Sequence, residues 1–362
     1  MGYNIILFFR EVIMKKRFLT FFILILVVSF LVSFGYAEKK YDRKILKQAS
    51  KLRKEGDKAL KKKEFDKAIE YYLESLKLYP EDKRVHNNLA IAYVQKNEYE
   101  EAVKHYERAL EIDPKFKNPK RPLLNLLNYL GGQYMKKGDF KKSNLYYEKL
   151  LKYLGNDKKN QKFILSVNYR MGINFYRLRD NKKSLEYLQK VLNYPEFQKE
   201  FPKLYPPVIY LVGVNYTLLG DKANGNKYLK EYISLKSSEE NKDPFVAYAY
   251  FFIGENSFKT LEDKIEELKK SKDKKEIEKV RELASSMKEE IEPYFKKCIE
   301  LNPKFEDAYT KLGNFYYLIK DLNKALEIYN KVVELFPNSP SINSYKRFRD
   351  ALEKKLNSQE KK

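Results

Sequence analysis

The sequence predicts an all-α fold made by stacking one small two-helix unit, and three observations carry that expectation. Gly131, Gly172, Gly213 and Gly254 stand 41 residues apart, each after an apolar residue: Leu130, Met171, Val212 and Ile253. Tyr134, Phe175 and Tyr216 follow the first three by three residues, and Ser143, Ser184 and Gly225 follow them by twelve. No segment shows the sustained period-two alternation, bounded by hairpin turns, that marks strands. Self-similarity at a fixed period means a stacked unit. Stacked units make long binding surfaces far more often than active sites.

The units are expected to start at 49, 83, 124, 165, 206, 247 and 306. The first, 49–82, carries Gly56, Ala68, Tyr72 and Pro80. The second, 83–116, carries Leu89, Ala90, Tyr93, Ala102, Tyr106, Ala109 and Pro114. From there to 247 the units recur every 41 residues, seven more than the first interval. The surplus is placed between one unit's second helix and the next unit's first, where Pro119, Pro122, Pro195, Pro202, Pro206 and Pro207 interrupt helices. Lys137-Gly138-Asp139, Asp180-Asn181 and Gly220-Asp221 read as the turns inside units. Small residues at positions 8 and 20 of each unit let two antiparallel helices approach closely.

The last interval is longer, because a 25-residue charged insertion at about 262–286 splits the sixth unit. Ile265, Leu268, Ile277, Val280 and Leu283 predict two lengthened helices joined by a turn over 271–275. The seventh unit, 306–339, carries Leu312, Gly313, Tyr316, Ala325, Tyr329 and Pro337. After it, Ile342, Tyr345, Phe348, Leu352 and Leu356 predict an amphipathic helix over 341–357 that caps the stack.

These residues resemble the tetratricopeptide repeat, with its pattern of W-x2-L-G-x2-Y, then A-x3-F, then P over about 34 residues. The resemblance covers roughly 49–339 and implies a right-handed α-solenoid of about seven repeats. It implies a concave face lined by first helices, with positions 2, 5, 9 and 12 pointing into it, and protein or peptide partners bound there. The groove residues expected are Asn87, Asn128, Tyr169, Tyr176, Tyr210, Phe251 and Phe258, from positions 5 and 12, together with Asn88, from the clamp position compared below. Amides can hydrogen-bond a peptide backbone in either sense, and aromatics anchor interfaces. The competing reading is that these aromatics pack between neighbouring repeats. Members of the family that grip chaperone tails through a carboxylate clamp are disfavoured as a match. Of the clamp positions only Asn88 agrees outright and Arg53 keeps the charge, whereas Asp57, Asn125 and Tyr129 depart from it.

The amino terminus is a separate matter. Met14-Lys15-Lys16-Arg17 precedes an uncharged apolar run, Phe18 to Tyr36, and Gly35-Tyr36-Ala37 resembles a cleavage site. Residues 1–37 are expected to be a signal peptide or a retained membrane anchor, with 18–37 as the tether and Met14 as an alternative start. Either form places the protein across the cytoplasmic membrane: periplasmic, secreted or anchored. The expected solenoid domain is 38–357.

Lys and Arg exceed Asp and Glu by 23, and by 20 without residues 1–37. Export and the interleaving of acids argue against nucleic acid; anionic envelope polymer or lipid stays open as an alternative partner. The one cysteine, Cys298, is expected as a buried small residue. His86 and His105 have no metal spacing. No catalytic residue, cofactor or metal site is expected, and the chain reads as a scaffold rather than an enzyme, with an enzyme lacking known motifs as the third reading.

Overall fold

The computed structural model describes residues 41–155, 157–239, 242–269 and 276–360. The expected leader or anchor, 1–37, and the turn of the insertion, 271–275, lie outside them. The described residues form seventeen α-helices and two short 3-10 turns, with no strand among them. In chain order the helix pairs are α1 (Arg43–Lys61) with α2 (Phe65–Leu78), and α3 (Lys83–Gln95) with α4 (Tyr99–Ile112). Then follow α5 (Lys120–Lys136) with α6 (Phe140–Leu154), and α7 (Gln161–Arg177) with α8 (Asn181–Leu192). A short α9 (Phe197–Glu200) precedes α10 (Tyr205–Leu218) and α11 (Lys222–Lys236). The sixth pair, α12 (Pro244–Lys269) and α14 (Lys288–Leu301), is separated by α13 (Glu276–Ser286). Last come α15 (Glu306–Leu318), α16 (Leu322–Leu335) and the closing α17 (Ile342–Glu360). The chain divides within α5, between Leu123 and Leu124, into two compact units.

One turn builds six of the seven pairs. At position 15 the backbone turns left-handed: Lys63, Asn97, Gly138, Arg179, Gly220 and Lys320 all have φ between 60° and 86°. The next residue's N–H reaches back to the carbonyl of position 11, as from Asp180 to Phe175 and from Asp321 to Tyr316, each at 2.9 Å. This is the helix-ending arrangement that a left-handed residue permits. In four of the six, that next residue is an aspartate that caps the second helix: Asp139 accepts from Lys142 N–H, Asp180 from Lys183, Asp221 from Asn224 and Asp321 from Lys324. The sixth unit has Leu261-Glu262 at these places, with neither stop nor start residue. There the helix runs on, and α12 reaches 26 residues.

The position-8 glycines face a large side chain sixteen residues on, except Gly254, which meets Phe295 across the insertion. A Cβ on Gly56 or Gly131 would lie 2.6 or 2.5 Å from the ring of Tyr72 or Tyr147, and one on Gly172 would lie 2.7 Å from Leu188 Cδ2. The space made by glycine is thus filled by position 24, rather than by a bare backbone crossing at position 20. Position 20 does touch the same site: Ser143 Oγ donates to Gly131 O and Ser184 Oγ to Gly172 O, both at 2.8 Å.

Those serines open a polar link between repeats that the sequence reading passed over. Asn174, in the next repeat, donates to Ser143 Oγ and to Asn144 Oδ1, both at 2.8 Å. One period later Asn215 donates to Ser184 Oγ at 3.0 Å. One further, Asn256 donates to Asn226 Oδ1 at 2.7 Å and to Thr217 Oγ1 at 3.0 Å. Position 20 is there Gly225, and the Thr217 hydroxyl takes the room: a Cβ on Gly225 would lie 2.5 Å from it. Buried amides joined this way fix one repeat's register on the next, since an unmade bond there carries the full desolvation cost.

Within the first unit, His86 and His105 meet at 2.9 Å between their Nδ1 atoms, and His86 Nε2 lies 2.9 Å from the Pro80 carbonyl. A carbonyl only accepts, so His86 carries its proton on Nε2 and its Nδ1 accepts from His105. Burial, then the neighbouring His86, pulls His105 down to about 4; burial lowers His86 as well. Because the folded-state value lies below the unfolded one, the stabilisation is whole above about pH 6.5. It is lost as pH falls toward 4, with a slope under about 1.4 kcal/mol per pH unit for each proton. The protection factors of amides in α3 and α4, with exchange referred to the intrinsic rate at each pH, should therefore fall between about pH 6.5 and 4.5 in the wild type. In His105→Phe that pH dependence should shrink; an unchanged profile would contradict the pairing.

In the second unit, the core runs as overlapping clusters from repeat to repeat rather than as one centre. The insertion belongs to it: Leu261 and Ile265 of α12 and Ala284 of α13 are buried in one cluster with Met287, Ile291 and Phe295. Its second arm is a separate helix, broken from α14 at Met287, rather than a lengthening of α14. Cys298 is fully buried in that cluster, and burial pushes its thiol up to about 12, which leaves it unreactive. α17 covers the last repeat, with Phe348 4.7 Å from Tyr329 and 5.1 Å from Tyr317, ring to ring.

Candidate functional site

The first helices of repeats four to six enclose a cleft of about 700 Å³ in the second unit. Tyr169, Ile173 and Tyr176 of α7 form one side, and Pro207, Tyr210 and Leu211 of α10 form the middle. Tyr248 and Phe252 of α12 form the far side, and Phe245 stands at that helix's first turn. Residues 169, 173 and 176 share a helical face because they are spaced by four and three. Pro206 and Pro207 sit in the first turn of α10, where the missing N–H costs nothing.

A capped corner holds the far wall. Asp243 caps α12 by accepting from Phe245 N–H at 3.0 Å, and it accepts the Tyr232 hydroxyl at 2.8 Å. Lys236 lies 3.4 Å from the same carboxylate. Tyr210, mostly buried, packs on Tyr232 and Phe245 at 5.1 and 5.2 Å between ring centres. Burial raises the phenols of Tyr169, Tyr210 and Tyr232 above the ordinary tyrosine value; Asp243 adds to the rise in Tyr232 and, after Tyr176 and Tyr248, in Tyr210. These hydroxyls therefore stay protonated at neutral pH and act as donors. Phe245 and Tyr248 remain 52% and 41% exposed, large rings left to water at the mouth.

The eight residues expected in a groove divide. Tyr169, Tyr176 and Tyr210 come together in the cleft. Phe251 does not line it: its ring stacks on Phe305 at 4.8 Å, because Phe305, just ahead of α15, wedges between Phe251 and Tyr248. Phe258 is 2% exposed and packs on Phe295 in the core. The amides are occupied elsewhere. Asn87 is buried and donates to Asn88 Oδ1, and Asn88 donates to Asp57, which also accepts the Tyr72 hydroxyl. Asn88 thus joins the first two repeats instead of waiting for a carboxylate. Asn128 accepts from Arg170 at 3.0 Å.

The sequence reading missed Arg177, Lys203, Tyr232, Phe245, Tyr248 and Phe252 as cleft residues. The recurrence of Pro207 and Tyr248 at position 2, one period apart, was the available signal. Among the described residues no three His, Cys, Asp or Glu side chains gather as a metal site would require. No helix among them is long and apolar enough to cross a membrane.

The turn, the packed glycines and the stacked pairs define a helical-repeat protein with an open aromatic-lined cleft. Family models for the tetratricopeptide repeat match residues 56–82, 84–116 and 294–327, and the chain is a tetratricopeptide-repeat protein. This is a fold of protein–protein interaction scaffolds. Solved structures similar in fold include the MamA protein, at 18% identity over 59% of this chain and 92% of that one, TM-score 0.41. The C-terminal part of a repeat-containing protein from Cytophaga hutchinsonii is 17% identical over 80% of this chain and 97% of that one, TM-score 0.41. A signal-transduction ATPase from Pyrococcus horikoshii with a tetratricopeptide repeat sensor is 17% identical over 79% of this chain and 41% of that one, TM-score 0.45. No curated protein matches the chain in sequence.

Proposed function

We propose that the protein is an exported or membrane-tethered scaffold that holds a partner protein by a segment lying in the cleft of repeats four to six, without catalysing a reaction. The observation that carries this reading is the set of aromatic rings, Tyr169, Phe245 and Tyr248 among them, that converge on one open cleft instead of the core. Such rings supply anchor area at low entropy cost. Export is supported by the cationic start at 15–17 and the apolar run that follows it.

Phe245→Ala with Tyr248→Ala should lower the melting temperature only modestly, since each ring is about half in water although Phe245 also packs on Tyr210 and Tyr248 on Phe305. Partner affinity should fall by about 1–2 kcal/mol per anchor. The control is Lys190→Ala with Lys230→Ala on the second helices, both exposed, which should do little. If the lysine pair loses the partner and the aromatic pair keeps it, the electrostatic alternative, an anionic envelope polymer or lipid, replaces the cleft reading. Amino-terminal sequencing of the native protein tests export: a mature start at Glu38 or membrane retention agrees, and a cytosolic chain with its terminus intact does not.

A further inference from the structure

The charges around the cleft select what it can hold. Arg177, at the last turn of α7, and Lys203, ahead of α10, line it, are exposed, and have no ion-pair partner among the described residues. The single carboxylate in the lining, Asp243, is already engaged by the Tyr232 hydroxyl, the Phe245 N–H and Lys236. Tyr169, Tyr176, Tyr210 and Tyr248 also line it, and their hydroxyls have no hydrogen-bond partner among the described residues. The cleft therefore offers donors and positive charge around an aromatic floor, and no free carboxylate to pair with a cationic ligand.

We propose that the occupant is an extended segment of a partner protein in which Asp or Glu stands beside a bulky apolar side chain. This rests on reading the cleft as the partner-binding surface. The apolar side chain covers Phe245 and Tyr248, which are otherwise left to water. The neighbouring carboxylate meets Arg177 and Lys203, and the tyrosine hydroxyls donate to its remaining lone pairs or to the segment's carbonyls. A lysine- or arginine-rich segment would face two uncompensated cations and find no carboxylate to pair with, a like-charge arrangement that rejects partners. The excess of 23 basic residues over the whole chain steers acidic partners in the same direction.

The test is selection from a random dodecapeptide display library on the immobilised full chain, followed by affinity measurement of enriched peptides. Enriched peptides should place Asp or Glu next to Leu, Ile or Phe. Arg177→Glu with Lys203→Glu should weaken them about tenfold or more, and raised salt should weaken wild-type binding. Circular dichroism melting should be nearly unchanged, because neither side chain has a partner to lose. An enriched set without acidic bias, or equal binding by the charge-reversed variant, overturns the inference. The Phe245→Ala, Tyr248→Ala variant separates the two levels. If it abolishes binding of peptides that lack acidic bias, the cleft reading stands and the acidic partner falls. If it changes nothing, or no peptide is enriched over this variant, both fall.

Discussion

Gly172→Leu is expected to destabilise the chain by about 3 kcal/mol and to do so locally. A Cβ at this position already lies 2.7 Å from both Leu188 Cγ and Cδ2, and the rest of a leucine side chain has no room between α7 and α8. Leu188 is fully buried and backed by Val191 and Phe197 in the same cluster, so it cannot swing away. Because each repeat is held mainly by its neighbours, hydrogen-exchange protection should be lost in repeats three to five and largely kept in α15 to α17. Gly132→Ala is the contrast: its Cβ would meet only the Tyr147 hydroxyl, at 3.9 Å. It should stabilise by about 0.5–1 kcal/mol through helix propensity. Uniform loss of protection in the first variant, or equal damage from the second, would contradict the packing described.

Gly225→Ser is expected to cost about 2 kcal/mol, and Thr217→Ala to restore much of it. Alone, the serine's Cβ would collide with the Thr217 hydroxyl at 2.5 Å. Alone, Thr217→Ala takes one of two acceptors from Asn256, a loss of about 1 kcal/mol. Together they recreate the arrangement of the two preceding repeats, where Ser143 and Ser184 receive Asn174 and Asn215. Chemical denaturation should show a favourable coupling of at least about 1 kcal/mol between the two sites. Additive losses would mean that the hydroxyl and the serine do not occupy the same place.

The fold was legible because core positions repeat: Gly131, Gly172 and Gly213 each fill the same slot, and their turns carry stop and start residues in the same order. The polar link was equally periodic, through Asn174, Asn215 and Asn256, yet an asparagine reads as a surface residue until its partner serine is placed across the repeat boundary. The cleft was half legible. Tyr169, Tyr176 and Tyr210 follow from the groove positions that the resemblance implies, whose offsets share one helical face. Phe251 holds the same position as Tyr210 but is claimed by Phe305, which reaches it across the long sixth-repeat insertion, and no local pattern encodes that approach. Asn87, Asn88 and Asn128 stood at groove positions, but their hydrogen-bonding capacity is directed to Asp57, Arg170 and one another. Phe245 went unnoticed because it belongs to the turn that Asp243 caps, ahead of the repeat register, whereas Tyr248 stands at position 2 and was legible from its recurrence with Pro207.

Site-specific photocrosslinking in native cells tests the central claim most directly, with a benzophenone amino acid placed at 245 or 248 in the cleft mouth and at 145 on α6. Leu145 is 49% exposed, close to the 52% of Phe245, so accessibility is matched. The cleft positions should join one discrete partner through a mapped segment, and that adduct should vanish when Tyr169 is changed to Ala, while position 145 gives none. A partner captured equally at 145, or only there, would contradict the assignment of binding to the cleft of repeats four to six.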